Sequence, residues 1–156
     1  MLAKIKTLLG KREFLHLATA SLDAVPNVAP KFMVSYSDTE IVLADYTLAT
    51  TYANLKVNTK VAIPVMDEVT LNGYQIKGHA RIVLAGAEHE KFYALLQEKL
   101  VALSVERIVR GVQKGRESAN FEVCFPEKMT FIVVTVDAFT VIHSTGAISR
   151  EYREVS

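Results

Sequence analysis

Residues Leu43–Ile63 read LADYTLATTYANLKVNTKVAI, and the rest of the chain can be organised around this segment. An apolar strand runs into a threonine-rich turn, which is followed by a short helical piece and a second apolar strand. Thr47, Thr50 and Thr51 stand where the helix would begin, and the free N–H groups of a helix start attract anions. Two interpretations follow: a site for a phosphate-bearing ligand, or a helix capped by a threonine side chain.

The composition indicates one globular domain. Half of the 156 residues are hydrophobic, which is enough for a sizeable core without disulfides. The 18 basic and 17 acidic side chains nearly balance, which argues against a nucleic-acid protein with a broad basic face. Cys124 is the one cysteine, and no apolar run is long enough to cross a membrane. We therefore predict a cytoplasmic protein with a single domain over residues 1–156.

Short segments of alternating or continuously apolar character predict a mainly β chain. These predicted strands are Phe14–Ala20, about Asn27–Tyr36, Ile41–Ala44, Val61–Met66, Tyr74–Leu84, Met129–Val136 and Ala138–His143. Six or seven short strands with few helices favour a small barrel, because closure removes exposed sheet edges.

Helical periodicity accounts for most of the remaining chain. Helices are predicted before Gly10, at Glu88–Leu103 and at Val105–Lys114, with irregular chain at Gly115–Lys128 and a mobile polar tail from about Ser144. The helix from Glu88 is expected to cover an open end of the barrel or a gap between strands. Pro64 predicts an edge or a bulge in its strand, and Gly78 predicts either a bulge or a close backbone approach.

Four segments carry a resemblance to a known family: Phe14–Phe32 (FLHLATASLDAVPNVAPKF), Leu43–Ile63, Gly73–Val83 (GYQIKGHARIV) and Met129–Ile142 (MTFIVVTVDAFTVI). In order and spacing they resemble the FMN-binding split-barrel flavoproteins, a group that includes pyridoxamine 5′-phosphate oxidase-like proteins. The resemblance implies a six- to seven-stranded split β-barrel with additional α-helices, an α+β fold. It also implies a homodimer with FMN at the subunit interface.

The resemblance implies cofactor-binding positions on strand two, after strand three and on strand five. Carried onto this chain, they are Ala29, Pro30, Lys31, Phe32, Asp45, Tyr46, Thr47, Thr50, Thr51, Asn54, Gln75 and Lys77. Lys31 is the expected counter-charge of the phosphate, while Gln75 and Lys77 would face the flavin from the other subunit. Many relatives carry a lysine where this chain has Thr50, so one charge-assisted partner of the phosphate is missing.

The scattered histidines show no metal-ligand spacing, so we predict no metal site and assign no catalytic residue. FMN carries its own redox chemistry and does not need a catalytic constellation in the sequence. We predict an FMN-dependent oxidoreductase that passes electrons between a nicotinamide or other donor and a small acceptor. The alternatives are a non-enzymatic flavin-binding or electron-carrier protein, and the same fold holding haem or a deazaflavin.

Overall fold

The computed structural model describes residues 1–113, 125–126 and 128–153. Its seven strands are β1 Phe14–Ala20, β2 Pro26–Tyr36, β3 Glu40–Asp45, β4 Lys60–Asp67, β5 Asn72–Val83, β6 Thr130–Ile142 and β7 Ile148–Tyr152. A 3-10 turn at Leu2–Ile5 leads into α1 Lys6–Gly10, and two further helices are α2 Thr50–Leu55 and α3 Ala87–Gln113. No helix in this part of the chain is both long and apolar enough to span a membrane.

Six of the strands form a closed antiparallel barrel. The order is β3-β2-β1-β4-β5-β6, and pairing between β3 and β6 closes the ring. The long β6 makes this possible because its first half, Thr130–Thr135, pairs with β3, whereas its second half pairs with the extra strand β7. The predicted six- to seven-stranded split β-barrel with added helices is confirmed.

The barrel is split between β1 and β4. The register between these strands records one pair, Ala18 with Ala62. Pro64 lies two residues further along β4, where the described part of the chain has no ladder pair between β4 and β1. The predicted edge is therefore present on one side of β4 only, since the other side of Pro64 pairs with Gln75 of β5.

Two apolar cores lie on opposite sides of the strands. The barrel interior is filled by residues such as Leu17, Met33, Leu43, Ile63, Ile76 and Ile132, with Leu55 of α2 closing one end. On the outside, α3 packs Phe92, Leu96 and Leu100 against apolar side chains of β2, β3 and β6. The expectation that this helix covers a barrel end or a gap is wrong, because its apolar face lies on the outer wall.

Most strands differ from their predicted bounds by one or two residues, and three elements differ by more. α3 runs unbroken through Ser104, since a single serine costs a helix little. β6 is one strand because its register with β5 skips Asp137, so a bulge absorbs the residue that separated two predicted strands. β7 forms in the supposedly mobile tail, where Gly146 turns the chain back at φ +86°. The predicted irregular stretch Gly115–Lys128 lies largely outside the described residues.

Candidate functional site

A buried ion pair between Lys31 and Asp45 lies at the end of the barrel next to α2. The Lys31 Nζ is 2.7 Å from Asp45 Oδ1, and the two side chains are 3% and 0% exposed. Because side chains alternate along a strand, both residues share the interior face with Met33 and Leu43. Charges withdrawn this far from water depend on each other for compensation.

Asp45 also organises the turn that leads from β3 to α2. Its Oδ1 accepts hydrogen bonds from the Thr47 backbone N–H (3.2 Å), the Thr47 hydroxyl (3.0 Å) and the Leu48 N–H (3.4 Å). Lys31 Nζ also donates to Thr47 Oγ1 at 3.3 Å. Leu48 has a left-handed backbone conformation at φ +48°, which these contacts help to hold. One carboxylate oxygen therefore neutralises the lysine and fixes the turn.

The start of α2 lacks the predicted threonine cap. The N-cap residue is Ala49, which has no side-chain hydrogen bond to the helix, so the expected threonine cap is wrong. Thr47 and Thr50 are exposed beside this helix start, whereas Thr51 is buried at 2% exposure. Of the three threonines, only Thr47 and Thr50 are exposed here, and the Thr47 hydroxyl is already bonded to Asp45 and Lys31.

Thr51 and Asn54 fasten α2 to the barrel. Asn27 of β2 donates through Nδ2 to Thr51 Oγ1 at 3.1 Å and to Thr19 Oγ1 at 3.2 Å. Asn54 donates through its own Nδ2 to the same Thr19 oxygen at 3.1 Å. These contacts assign Thr51 and Asn54 to the polar plug that closes the barrel end.

Pro30, Gln75 and Lys77 lie on the outer face of the barrel. Gln75 and Lys77 alternate with buried Ile76, as the strand period predicted. Gln75 lines a groove of about 450 Å³ that follows the split between β1 and β4. Other side chains along this groove are Arg12, Phe14, His16, Pro64, Met66, Tyr74 and Ile142.

The remaining predicted residues point elsewhere. Phe32 lies under α3, where its ring meets Phe14 and Phe125 edge-on at 5.4 and 5.3 Å. Tyr46 stacks on Phe125 with ring centroids 4.6 Å apart. Ala29 is half-buried on the same side of β2 as Lys31. The twelve predicted residues therefore divide among the barrel end with the turn before α2, the outer face, and the cluster around Phe125 and α3.

Sequence reasoning overlooked three polar residues of the barrel end: Thr19, Asn27 and Thr130. Thr19 follows Leu15 and Leu17 at period two, so a threonine on an otherwise apolar inward face was the available signal. Thr130 pairs with Asp45 across the β3–β6 ladder, and no local pattern indicates that partner.

The barrel end fits the phosphate of a flavin nucleotide in part. Thr50 is exposed, and its hydroxyl is a suitable neutral donor to a phosphate oxygen, whereas the Thr47 hydroxyl already donates to Asp45. Lys31 does not fit as a free counter-charge, because its ammonium group is already paired with Asp45 inside the barrel.

A closed antiparallel barrel with one extra strand and a helix over its polar end defines a split-barrel domain. The family model for pyridoxamine 5′-phosphate oxidase matches residues 1–143. The chain belongs to the pyridoxamine 5′-phosphate oxidase family, as the four sequence segments predicted. No curated protein matches the chain.

Solved structures share the fold at low identity. A Clostridium acetobutylicum protein related to general stress protein 26 is 12% identical with a TM-score of 0.70, covering 97% of this chain and 93% of that one. An FMN-binding, pyridoxamine 5′-phosphate oxidase-related protein of Nostoc punctiforme is 13% identical with a TM-score of 0.55 and coverages of 99% and 93%. A heme binding protein of Mycobacterium smegmatis is 14% identical with a TM-score of 0.65 and coverages of 96% and 56%.

Proposed function

We propose that the chain is a homodimeric flavin-binding protein that takes FMN and acts as an oxidoreductase. The observation that carries the proposal is the family match over residues 1–143, which includes the whole closed barrel. The related Nostoc punctiforme protein is described as FMN-binding, and this description supports the choice of ligand. The proposed role is electron transfer between a nicotinamide or other donor and a small acceptor.

The outer face of the barrel supports a dimer. Phe14, Val28, Met66 and Ile142 are 40%, 60%, 47% and 45% exposed, and they project from β1, β2, β4 and β6 on the wall that α3 leaves uncovered. Several exposed apolar side chains on one wall are typical of a protein interface. We propose that a second copy covers this face and places Gln75 beside the neighbouring subunit's site.

FMN supplies the redox chemistry when it is bound, so the chain contributes binding and orientation. Thr50 is proposed as a hydroxyl donor at the phosphate end, since it is exposed next to α2 and close to the exposed Thr47. Gln75 and Lys77 are proposed as polar contacts to the ring system, because they lie together on the outer face. The Lys31–Asp45 pair holds the turn that presents Thr47.

Haem is the second candidate ligand, and His16 is the observation that favours it. Its imidazole is exposed in the groove between β1 and β4, among the apolar side chains of Phe14, Pro64 and Met66. Histidine is a common axial ligand of haem iron, and Arg12 lines the same groove. The Mycobacterium smegmatis relative is named as a heme binding protein.

The deciding experiment is an absorbance spectrum of the purified protein, recorded before and after addition of FMN or haemin and removal of unbound ligand. Retained flavin bands support the proposal and make NADH and NADPH oxidation the next assay. A colourless protein after FMN treatment contradicts it, and a retained Soret band that His16→Ala abolishes moves haem to first place. Turnover no faster than that of free FMN would leave a non-enzymatic carrier.

Thr50→Val tests the proposed phosphate contact, with Thr7→Val on α1 as a matched exposed control. We expect Thr50→Val to weaken FMN binding by about twofold to threefold, the lower end of the range for one lost hydrogen bond. Titration of flavin fluorescence measures both variants. Equal affinities for the two variants would remove Thr50 from the site.

A further inference from the structure

We infer that Asp45 is an internal anion that occupies Lys31, so that the chain recognises a flavin through its ring system and hardly through its phosphate. This inference rests on the proposed flavin-binding function and defines the ligand specificity of that site. Lys31 was expected to neutralise the phosphate of a ligand, whereas in this inference it neutralises Asp45.

The charge balance of the barrel end supports this assignment. Lys31 and Asp45 form a neutral pair at 2.7 Å, with Thr47 Oγ1 as a further acceptor for the ammonium group. A phosphate that approached Lys31 would also come close to the carboxylate of Asp45. Its attraction to the lysine would therefore be largely cancelled by repulsion from the aspartate.

The burial of Lys31 also opposes contact between its ammonium group and a ligand phosphate. The Lys31 side chain is 3% exposed and lies on the interior face of β2. The polar plug formed by Thr51, Asn54 and their partners on β1 and β2 closes this end of the barrel. A ligand phosphate would have to displace Asp45 or Thr47, the two residues that contact Nζ, before it could bind the ammonium group.

The second oxygen of Asp45 points to the same conclusion. Asp45 Oδ2 is buried and has no hydrogen-bond partner among the described residues, so this part of the site lacks a donor and not an acceptor. A phosphate presents acceptor oxygens almost exclusively near neutral pH. An additional anion would therefore provide no hydrogen-bond donor for Asp45 Oδ2.

Riboflavin has the same ring system as FMN and no phosphate, so the pair of ligands tests the inference directly. For the wild-type dimer we expect dissociation constants within about threefold of each other. Asp45→Asn keeps the side-chain shape and removes the charge, so it should free Lys31 and favour FMN by about tenfold or more. The matched control is Asp67→Asn, because Asp67 also organises a turn through Val69 and Thr70 but has no buried lysine partner.

A phosphate titration gives a readout that does not require flavin binding. We expect inorganic phosphate at constant ionic strength to raise the melting temperature of Asp45→Asn more than that of the wild type or of Asp67→Asn. Failure of the wild type to bind either flavin would contradict the proposed function, and this titration would still decide the role of Asp45.

The inference is overturned if the wild type prefers FMN over riboflavin by more than about tenfold and Lys31→Met abolishes that preference. A Lys31-dependent stabilisation of the wild type by inorganic phosphate overturns it as well. A folded Asp45→Asn protein that gains neither response has the same consequence. If Asp45→Asn does not fold, the wild-type comparison of the two flavins decides alone.

Discussion

Asp45 and Thr130 face each other across the β3–β6 ladder, and each buries a side-chain oxygen that has no hydrogen-bond partner in the described part of the chain. Side chains directly opposite each other project from the same face of a sheet, so both unpartnered oxygens belong to the polar end of the barrel. Buried polar atoms of this kind lower stability, and they are uncommon outside functional regions.

The Thr130 hydroxyl is therefore expected to contribute nothing to stability. Thr130→Val removes an unpartnered polar group at nearly constant volume, so the free energy of unfolding should stay equal or rise by up to about 1 kcal/mol. Thr19→Val is the matched control, because Thr19 accepts two hydrogen bonds, and its loss should cost about 1–3 kcal/mol. Urea denaturation measures both. A destabilised Thr130→Val protein would show that this hydroxyl has a partner.

The Lys31–Asp45 pair should be energetically coupled. Lys31→Met leaves a buried carboxylate without compensation and should lower the free energy of unfolding by about 3–5 kcal/mol. Adding Asp45→Asn to that variant should cost little more, because the uncompensated charge is gone. A double-mutant cycle measures the coupling. The exposed Arg81–Glu88 pair is the control and should show a much smaller coupling. Additive effects at Lys31 and Asp45 would contradict the assignment.

The sequence predicts most of the barrel because its strands carry their own burial pattern. Phe14–Ala20 was predicted without error, since Leu15 and Leu17 alternate with outward residues. The continuity of α3 and β6 was missed because single residues were taken as breaks, and a bulge at Asp137 lets β6 continue. These errors concern where an element ends, which tertiary packing decides.

The site was harder to predict, because the family resemblance assigned runs of consecutive residues to one site. Pro30, Lys31 and Phe32 are consecutive, yet the strand period sends Lys31 inward and its two neighbours outward. The pairing of Lys31 with Asp45 joins two strands and replaces the ligand as the partner of the lysine. No pattern within either strand contains that information.

Gly78 is required by a close contact between backbones. A Cβ atom at this position would lie 1.9 Å from the Thr135 carbonyl oxygen, beside the bulge that separates Lys77 from Gly78 in the β5–β6 register. Both predicted explanations of this glycine therefore hold. Gly78→Ala should lower the free energy of unfolding by roughly 2 kcal/mol or more, because backbone must move.

Gly73→Ala is the matched control for Gly78→Ala on the same strand. A Cβ at Gly73 would meet its nearest atom, in Ile142, at an ordinary 3.6 Å. Thermal denaturation of the two variants should therefore show a clear loss for Gly78→Ala and little change for Gly73→Ala. Equal stabilities would mean that β6 moves away from Gly78 at no cost.

The proposed dimer predicts that a charge at Val28 separates the subunits. Val28→Lys places an ammonium group on the outer face of β2, where we expect the second copy to pack. Light scattering should then report a molar mass near 17.3 kDa for the variant and twice that for the wild type. Val69→Lys is the control, since Val69 is 92% exposed in the β4–β5 turn. A wild-type monomer, or a dimeric Val28→Lys protein, would contradict this interface.

Lys99 of α3 predicts a pH dependence of stability. Burial lowers the pKa of its ammonium group below the usual 10.5, although Glu13 partly opposes this shift. Between the lowered value and 10.5 the unfolded chain holds a proton that the folded chain has lost, so the free energy of unfolding rises with pH in that interval. Lys99→Met should flatten this rise, whereas Lys91→Met, an exposed change on the same helix, should not. Urea denaturation at several pH values below 10.5 measures the slopes, and equal slopes in the two variants would rule out Lys99 as their source.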